Sequence, residues 1–593
     1  MAIKVIRRVG LACGFFSVLV LAGCSSGGSA EEPSDRYRRQ TVKWEACTED
    51  LAKQLQALPI EMQHRSQCAS IVVPLDHQQP DKGDISVGIM RIRADNAATD
   101  RRLLFLNPGG PGADGIGKGV MLAYLWSLSS EHSEIGRLQL ELLKTYDLIG
   151  FSPRGLGKST NLVCESEAVL QPTDNSIGGR TDENIALQLH NTRLIAEACS
   201  QNPLTEYINT HQTAQDMDLI REVLGAQKFN YLGWSYGTWL GAWYGSLFPD
   251  KVDRMILDSS VDFDLTLHDT ALVQGPALTR AFNEILAPYA ARHPDVFELG
   301  TDAQAIRVLL GNTRPVLQAA VSSLIYLPLF RSRMAEEVLG YVLVARELDK
   351  EPFRSYLPDG VVGGNVEQLR LLVDSHVFSV KAHTDRMLRK LAHNVVDKIE
   401  YLLRPRPVLL KGSDAVYTAV VCNDTPSPSD DPGWWVDVET NMYANYPMVT
   451  TDDVRSCLYW QRPDLEKPSI DAMADLDVLM LQAEYDGATP EPQARATFSK
   501  LPKAHMVYVP DEMSHGVYPY SDQCVDMAVA RYLLHQPLQG RETTCKAHPL
   551  IEDDPSIDKS ASAVRALAEG SNVTYPDRDL AAELIEQLKA SVR

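Results

Sequence analysis

The sequence predicts an α/β fold: a mostly parallel central sheet flanked by helices, with a large, mainly helical cap inserted after the sixth strand. Three observations carry this. Over the first 260 or so residues, short apolar runs bounded by turn residues alternate with stretches of helical spacing. Over roughly 265–470 that rhythm gives way to long helical and mixed segments. It then resumes with two further apolar runs. Strands that alternate with helices need right-handed crossovers, and those bring the strands together in parallel.

Taken in order, 71–75 (Ile-Val-Val-Pro-Leu) and 85–89 (Ile-Ser-Val-Gly-Ile) read as the first strands. The run 103–106 (Leu-Leu-Phe-Leu) is continuously apolar, as in a strand buried on both faces, and breaks into Asn107-Pro108-Gly109-Gly110-Pro111-Gly112. The next strand, 146–151, ends in Ser152-Pro153-Arg154-Gly155-Leu156-Gly157-Lys158-Ser159. A helix at 214–224 leads into the apolar run of Phe229, Tyr231 and Leu232. The sixth strand is 252–257, and the pattern resumes at 476–481 and 506–510. The expected organisation is a signal segment 1–23, a tether 24–40, the core as 41–264 and 471–546, the cap as 265–470, and a C-terminal extension 547–593. In that extension 551–559 reads as an acidic loop, and Leu580, Leu584 and Leu588 lie at helical spacing.

Composition narrows the function. An apolar fraction of 44% supports a large core, and a formal charge of −21 argues against nucleic acid and acidic lipid surfaces as partners. The N-terminus has a basic start (Lys4, Arg7, Arg8), an apolar run from Val9 to Ala22, and then Leu21-Ala22-Gly23-Cys24. The stretch reads as an export signal, too short and wrongly flanked for a spanning helix, and its end resembles a bacterial lipobox. It implies cleavage before Cys24, lipidation of that residue, and a membrane-anchored protein of the cell envelope, followed by a Gly/Ser tether. No Asp follows Cys24, which favours the outer membrane or outer surface over inner-membrane retention.

Beyond Cys13 and Cys24, eight cysteines remain, an even set that fits an oxidising compartment. Eight allow 105 pairings; the expectation is neighbour pairing, Cys47–Cys68, Cys164–Cys199, Cys422–Cys457 and Cys524–Cys545. No C-x-x-C or H-E-x-x-H spacing occurs, so no metal site and no cofactor are expected. Gly157-Lys158-Ser159 mimics the end of a phosphate loop, but the first glycine of that motif would fall at Ser152, so nucleotide binding is rejected.

The chemistry centres on Gly233-Trp234-Ser235-Tyr236-Gly237, a G-x-S-x-G turn between a strand and a helix. Its glycines leave room for a strained elbow that lifts a serine hydroxyl out of the sheet. In the order Ser, acid, His, the partners are Asp486, just past the 476–481 strand, and His515, just past the 506–510 strand. Both stand in turns at the C-terminal ends of strands, where parallel sheets place their sites. Asp477, Asp511, His505 and His535 are rivals that fit the strand ends less well. Ser235 is the expected nucleophile, His515 the base and Asp486 its orienting carboxylate. An oxyanion is expected to meet the N–H of Tyr236 and one from the glycine loop, Gly110 or alternatively Gly112.

Asn107–Gly112, Pro153–Ser159 and Gly233–Thr238, with Cys68–Asp76, Cys422-Asn423-Asp424, Asp486–Pro490 and Ser514-His515-Gly516, resemble the secreted prolyl/tripeptidyl aminopeptidase family of serine peptidases. The resemblance spans about 44–546 and implies an alpha/beta-hydrolase fold with a TAP-like C-terminal region. It departs at Ser152, where the family usually has Asp, and at Ser514, where it often has Gly. It implies release of short N-terminal pieces from peptides with a free N-terminus. Such an enzyme needs a carboxylate for the substrate amine; Glu484, Asp424 and Glu512 are the candidates, beside unspecified cap carboxylates. Thr489 either braces the Asp486 turn or precedes a helix started at Pro490. The alternatives are an esterase or lipase on the same scaffold, and a lipid-tethered binding protein with an inactive triad.

Overall fold

The structure, a computed structural model, describes residues 35–95, 102–360, 362–448 and 455–555. The signal segment, Cys24, most of the tether and the expected 580–592 helix lie outside the described residues. Among the described residues no helix is long and apolar enough to cross a membrane.

In chain order the strands are β1 (Ser66–Pro74), β2 (Asp84–Ile92), β3 (Arg102–Asn107), β4 (Tyr146–Phe151), β5 (Val163–Leu170), β6 (Phe229–Trp234), β7 (Val252–Asp258), β8 (Arg406–Lys411), β9 (Val478–Ala483), β10 (His505–Val509) and β11 (Glu542–Thr544). Nine form one sheet in the order β1-β2-β4-β3-β6-β7-β9-β10-β11. β1 and β2 pair antiparallel, β2 meets β4 antiparallel, and from β4 to β11 every pairing is parallel. β7 is therefore the sixth strand of the main sheet, and the cap follows it.

The central strands are buried on both faces. Leu103 and Phe105 of β3 join one apolar cluster while Leu104 and Leu106 join the other, and Tyr231 and Leu232 of β6 divide the same way. This two-fold alternation is why the runs read as continuously apolar rather than as one-sided. The helix Tyr236–Leu247 covers one face with Trp239, Leu240, Trp243 and Tyr244. The helices Lys118–Ser127, Glu134–Thr145 and Gln523–Leu533 cover the other.

The insertion has two parts. Its helices from Gln274–Ala281 to Ala382–Leu402 share a separate apolar cluster, including Leu278, Phe330, Leu339 and Val395. Past them, β8 pairs antiparallel with β5, and the helix Ser413–Asp424 buries Ala415, Val416, Ala419 and Val420 in the core cluster. Sequence reasoning did not identify β5, β8 or β11. The ninth strand also runs two residues later than the 476–481 expected: Asp477 precedes it, with its carboxylate on Arg254.

Four disulfides join Cys47–Cys68, Cys164–Cys199, Cys422–Cys457 and Cys524–Cys545. They close loops of 21 or 35 residues, each limiting the unfolded chain by about 3 kcal/mol. Ser152 is buried, and its hydroxyl donates to Asp114 at 2.8 Å while accepting from the Lys158 amide. Arg154 is buried too, in a two-pronged ion pair with Asp216 at 2.7 and 2.8 Å. The Pro153–Ser159 loop is thus a braced corner of the core.

Candidate active site

Ser235 sits between β6 and the helix Tyr236–Leu247 with φ 57° and ψ −128°, a conformation a non-glycine residue adopts only under constraint. The flanking glycines are sterically required. A methyl group on Gly233 would strike the Gly237 carbonyl, and one on Gly237 would come within 2.6 Å of the Asn107 carbonyl oxygen. The turn is tied down by Ser235 N–H donating to the Asp258 carbonyl at 3.0 Å and by Thr238, whose N–H and hydroxyl both donate to the Ser235 carbonyl at 2.7 Å.

Asp486 follows β9 and is 1% exposed. One of its oxygens accepts from the amides of Ala488 and Thr489 at 2.9 Å, and the other from the Thr489 hydroxyl at 3.0 Å. His515 follows β10 and brings Nδ1 to 2.9 and 3.0 Å from the two carboxylate oxygens. An ionised carboxylate can only accept, so Nδ1 carries the proton and Nε2 offers a lone pair. Burial depresses the His515 pKa, but the charge and hydrogen bond of Asp486, with Asp258 behind, outweigh it and hold the group above its ordinary value.

The Ser235 and His515 turns lie against each other. A methyl group on Gly516 would reach to 3.5 Å from the Trp234 ring, and the Trp234 indole donates to the Tyr518 carbonyl at 2.7 Å. Asp258, the last residue of β7, links them further. Its carbonyl holds Ser235 N–H, and its carboxylate accepts from the amides of Val517 and Tyr518 at 2.7 and 2.6 Å. Burial pushes that carboxyl up to about 7.

The glycine loop closes the site from the β3 side. Gly109 lies nearest: a methyl group there would sit 2.9 Å from Ser235 Cβ and 3.1 Å from the Tyr236 nitrogen. Its own N–H is taken by the Asn107 side chain at 2.9 Å. Gly110 follows at φ 104°. Gly112 packs against the Ser413 carbonyl and the Tyr417 amide, which a methyl group there would approach to 2.6 and 3.2 Å.

Comparison with known proteins agrees with this architecture. A family model described as alpha/beta hydrolase fold matches residues 102–303, and one described as TAP-like protein matches 443–545. The tripeptidyl aminopeptidase of Streptomyces lividans is 28% identical over 531 residues, covering 86% of this chain and 88% of its own. The serine protease Hip1 of Mycobacterium tuberculosis is 26% identical, with 87% and 93% covered. Carboxylesterase B of the same organism is also 26% identical, with 88% and 94% covered. The chain has the alpha/beta-hydrolase fold and is similar to tripeptidyl aminopeptidases over most of its length. It is a serine hydrolase.

Of the three carboxylates considered for the substrate amine in this hydrolase, two are enclosed. Asp424 is fully buried and accepts from the Thr210 amide at 2.8 Å, the Thr210 hydroxyl at 2.5 Å and the Trp239 indole at 3.1 Å. Burial raises its pKa to about 6. Glu512 is 2% exposed and accepts from the amides of Met513 and Ser514 and from the Tyr520 hydroxyl. Only Glu484 reaches solvent, where it meets Arg280 at 3.2 Å and accepts from the Asp511 amide. Both enclosed groups brace loops, which corrects their sequence-based role.

Three features were missed from sequence. Asp258 carries no motif and is simply the end of a strand. The cap grips both turns: the His515 amide donates to the Phe330 carbonyl at 2.8 Å, and Ser514 pairs with Ser332 through hydroxyls 2.9 Å apart. On the acid turn, Gln274 donates to the Ala488 carbonyl at 3.1 Å, and Leu278 packs so tightly that only glycine fits at 487. No group of three or more His, Cys, Asp or Glu that could hold a metal occurs among the described residues.

Proposed function

We propose that this hydrolase is a serine exopeptidase that releases short N-terminal peptides or amino acids through an acyl-enzyme intermediate. Ser235 attacks the scissile carbonyl as His515 Nε2 takes the hydroxyl proton. The same proton then passes to the leaving amine, and water repeats the sequence to free the acid. Asp486 holds the imidazole in the required tautomer and stabilises its cation. The N–H groups of Tyr236 and Gly110 receive the charge on oxygen, with Gly112 the alternative to Gly110. The observation that carries this reading is the Asp486–His515 contact at 2.9 Å, at the tips of adjacent parallel strands and beside the strained serine.

The tripeptidyl aminopeptidase and serine protease relatives support peptides as substrates, and Glu484 is the amine anchor that keeps access to one. Carboxylesterase B, at 26% identity, favours ester hydrolysis as the second reading. An unblocked tripeptidyl anilide should turn over at least about tenfold faster than its N-acetylated twin, because the blocked substrate has no cation for the anchor. Equal rates, or activity on esters alone, select the esterase. Ser235→Ala and His515→Ala should each abolish nearly all turnover with the fold intact. Failure of Ser235 to react with a fluorophosphonate would leave a tethered binding protein. Export is supported by the four disulfides, and lipidation at Cys24 by the lipobox; Cys24→Ala should release the protein from membranes.

A further inference from the structure

The helix Ser413–Asp424, which ends in the Cys422-Asn423-Asp424 motif, touches both sides of the expected oxyanion hole. Its first turn backs the glycine loop: a methyl group on Gly112 would lie 2.6 Å from the Ser413 carbonyl and 3.2 Å from the Tyr417 amide. Its middle meets the braced corner, where a methyl on Gly155 would lie 2.8 Å from Val416. A small cavity between the loop and the elbow is lined by Gly109, Gly112, Tyr236, Val416 and Val420.

Its last residue is Asp424, which grips the start of the elbow helix from below. The Tyr236 hydroxyl bonds to the Thr210 hydroxyl, which in turn bonds to Asp424, whose carboxylate also takes the Trp239 indole. Tyr236 and Trp239 are the first and fourth residues of that helix. The Tyr236 phenol is therefore fixed by a buried relay that ends on a carboxylate. Next to Asp424, Asn423 is anchored through its side-chain N–H groups on the carbonyls of Thr205 and Ile208 at 2.7 and 2.9 Å. The Cys422–Cys457 bond ties the same turn to a third segment.

We propose that Asp424 and Thr210 are positioning residues that set the Tyr236 amide as an oxyanion donor, and that the helix Ser413–Asp424 holds this donor at the right separation from the glycine-loop donor. This rests on the serine-hydrolase mechanism proposed above. Two donors stabilise an oxyanion only if both point at one spot. A donor amide displaced by under an ångström loses much of its effect, while ground-state binding changes little. The relay touches neither Ser235 nor His515 directly, so its loss should appear in transition-state stabilisation alone.

The test uses Tyr236→Phe, Thr210→Val, Thr210→Ser and Asp424→Asn in the full chain. For each, kcat and KM on a peptidyl anilide are compared with inhibition by a peptide boronic acid, which forms a tetrahedral adduct on the serine. Tyr236→Phe keeps the main-chain donor and removes only the phenol. The expected result is a fall of about 10- to 100-fold in kcat for the Phe, Val and Asn variants, with KM within about twofold. Boronate affinity should fall by the same factor, and Thr210→Ser should stay within about threefold of wild type. Wild-type kcat in Tyr236→Phe and Thr210→Val would overturn the proposal even if Asp424→Asn fails to fold. So would a loss of kcat with boronate affinity unchanged, or Thr210→Ser as poor as Thr210→Val. Failure of the underlying mechanism shows separately, as wild-type protein that boronate does not inhibit or Ser235→Ala that still turns over; either takes this proposal with it.

Discussion

Asp486 illustrates how much of the site rests on single atoms. Three donors from its own turn fix the carboxylate before His515 adds a fourth, so the imidazole meets a preset acceptor. In Asp486→Asn the amide can donate toward Nδ1, which disfavours the productive tautomer. We expect kcat to fall roughly 10³- to 10⁴-fold. The pH profile adds a second readout. His515 must be neutral to accept a proton, and in the wild type Asp486 lifts its pKa against the opposing effect of burial. The acid limb of kcat/KM should therefore lie above pH 6.5 in the wild type and shift to lower pH in the variant. Thr489 braces the same carboxylate, and Thr489→Val should cost about tenfold in kcat. Ser235, Asp486 and His515 stand out in the sequence as candidates because each stands in a turn directly after an apolar run, and the structure places those turns at strand ends. Asp424 and Glu512 were misjudged because proximity in a motif does not say which way a carboxylate faces. Only the enclosure of their oxygens reveals that they are braces.

At the scale of elements, the cap stands on the turns that carry the proposed acid and base. The helix Gln274–Ala281 bears on 487–488, and the segment around Phe330 bears on 514–515. The serine at 514, where the family often has glycine, finds its partner in Ser332 and so fits this contact. A second seam lies where the helix Leu267–Leu272 leaves the core. Its His268 is 1% exposed beside Trp435, and neither ring nitrogen has a hydrogen-bond partner among the described residues. Burial lowers its pKa to about 4 from an ordinary 6.5. The unfolded chain thus binds a proton that the folded one refuses, and the neutral group's stabilising contribution, full above pH 6.5, is lost as pH falls toward 4. His268→Phe should remove about 3 kcal/mol of acid sensitivity between pH 7 and 4, read as the difference between variant and wild-type urea midpoints. The strands of the main sheet were readable from their apolar runs. β5 and β8 were not: their exposed, charged faces weaken the apolar signal, and their pairing joins residues more than 230 apart, which no local pattern encodes.

For the molecule as a whole, the four disulfides tie elements that the sheet alone would leave loosely attached. Cys47–Cys68 secures the N-terminal segment to β1, and Cys524–Cys545 secures β11 to the helix Gln523–Leu533. The Cys422–Cys457 link holds the end of the helix that carries Asp424. Replacing both cysteines by alanine should lower stability by about 2–5 kcal/mol, measured by thermal unfolding. Because the same turn carries Asp424, kcat should fall in the surviving folded protein as well, while replacing Cys47 and Cys68 should cost stability alone. The chain after Cys545 adds a last tie, with Asp553 on Arg292 at 2.6 Å and on His293 at 2.7 Å, so that it spans core and cap.

The pairing of β8 with β5 limits how this scaffold can be re-engineered. Excising the insertion to make a minimal hydrolase would strip β5 of its neighbour and leave a raw hydrogen-bonding edge open to self-association. Grafting a foreign lid would meet the same obstacle unless the graft carried its own version of the 406–424 segment. Swaps confined to the helices before residue 403 would leave that stitch intact.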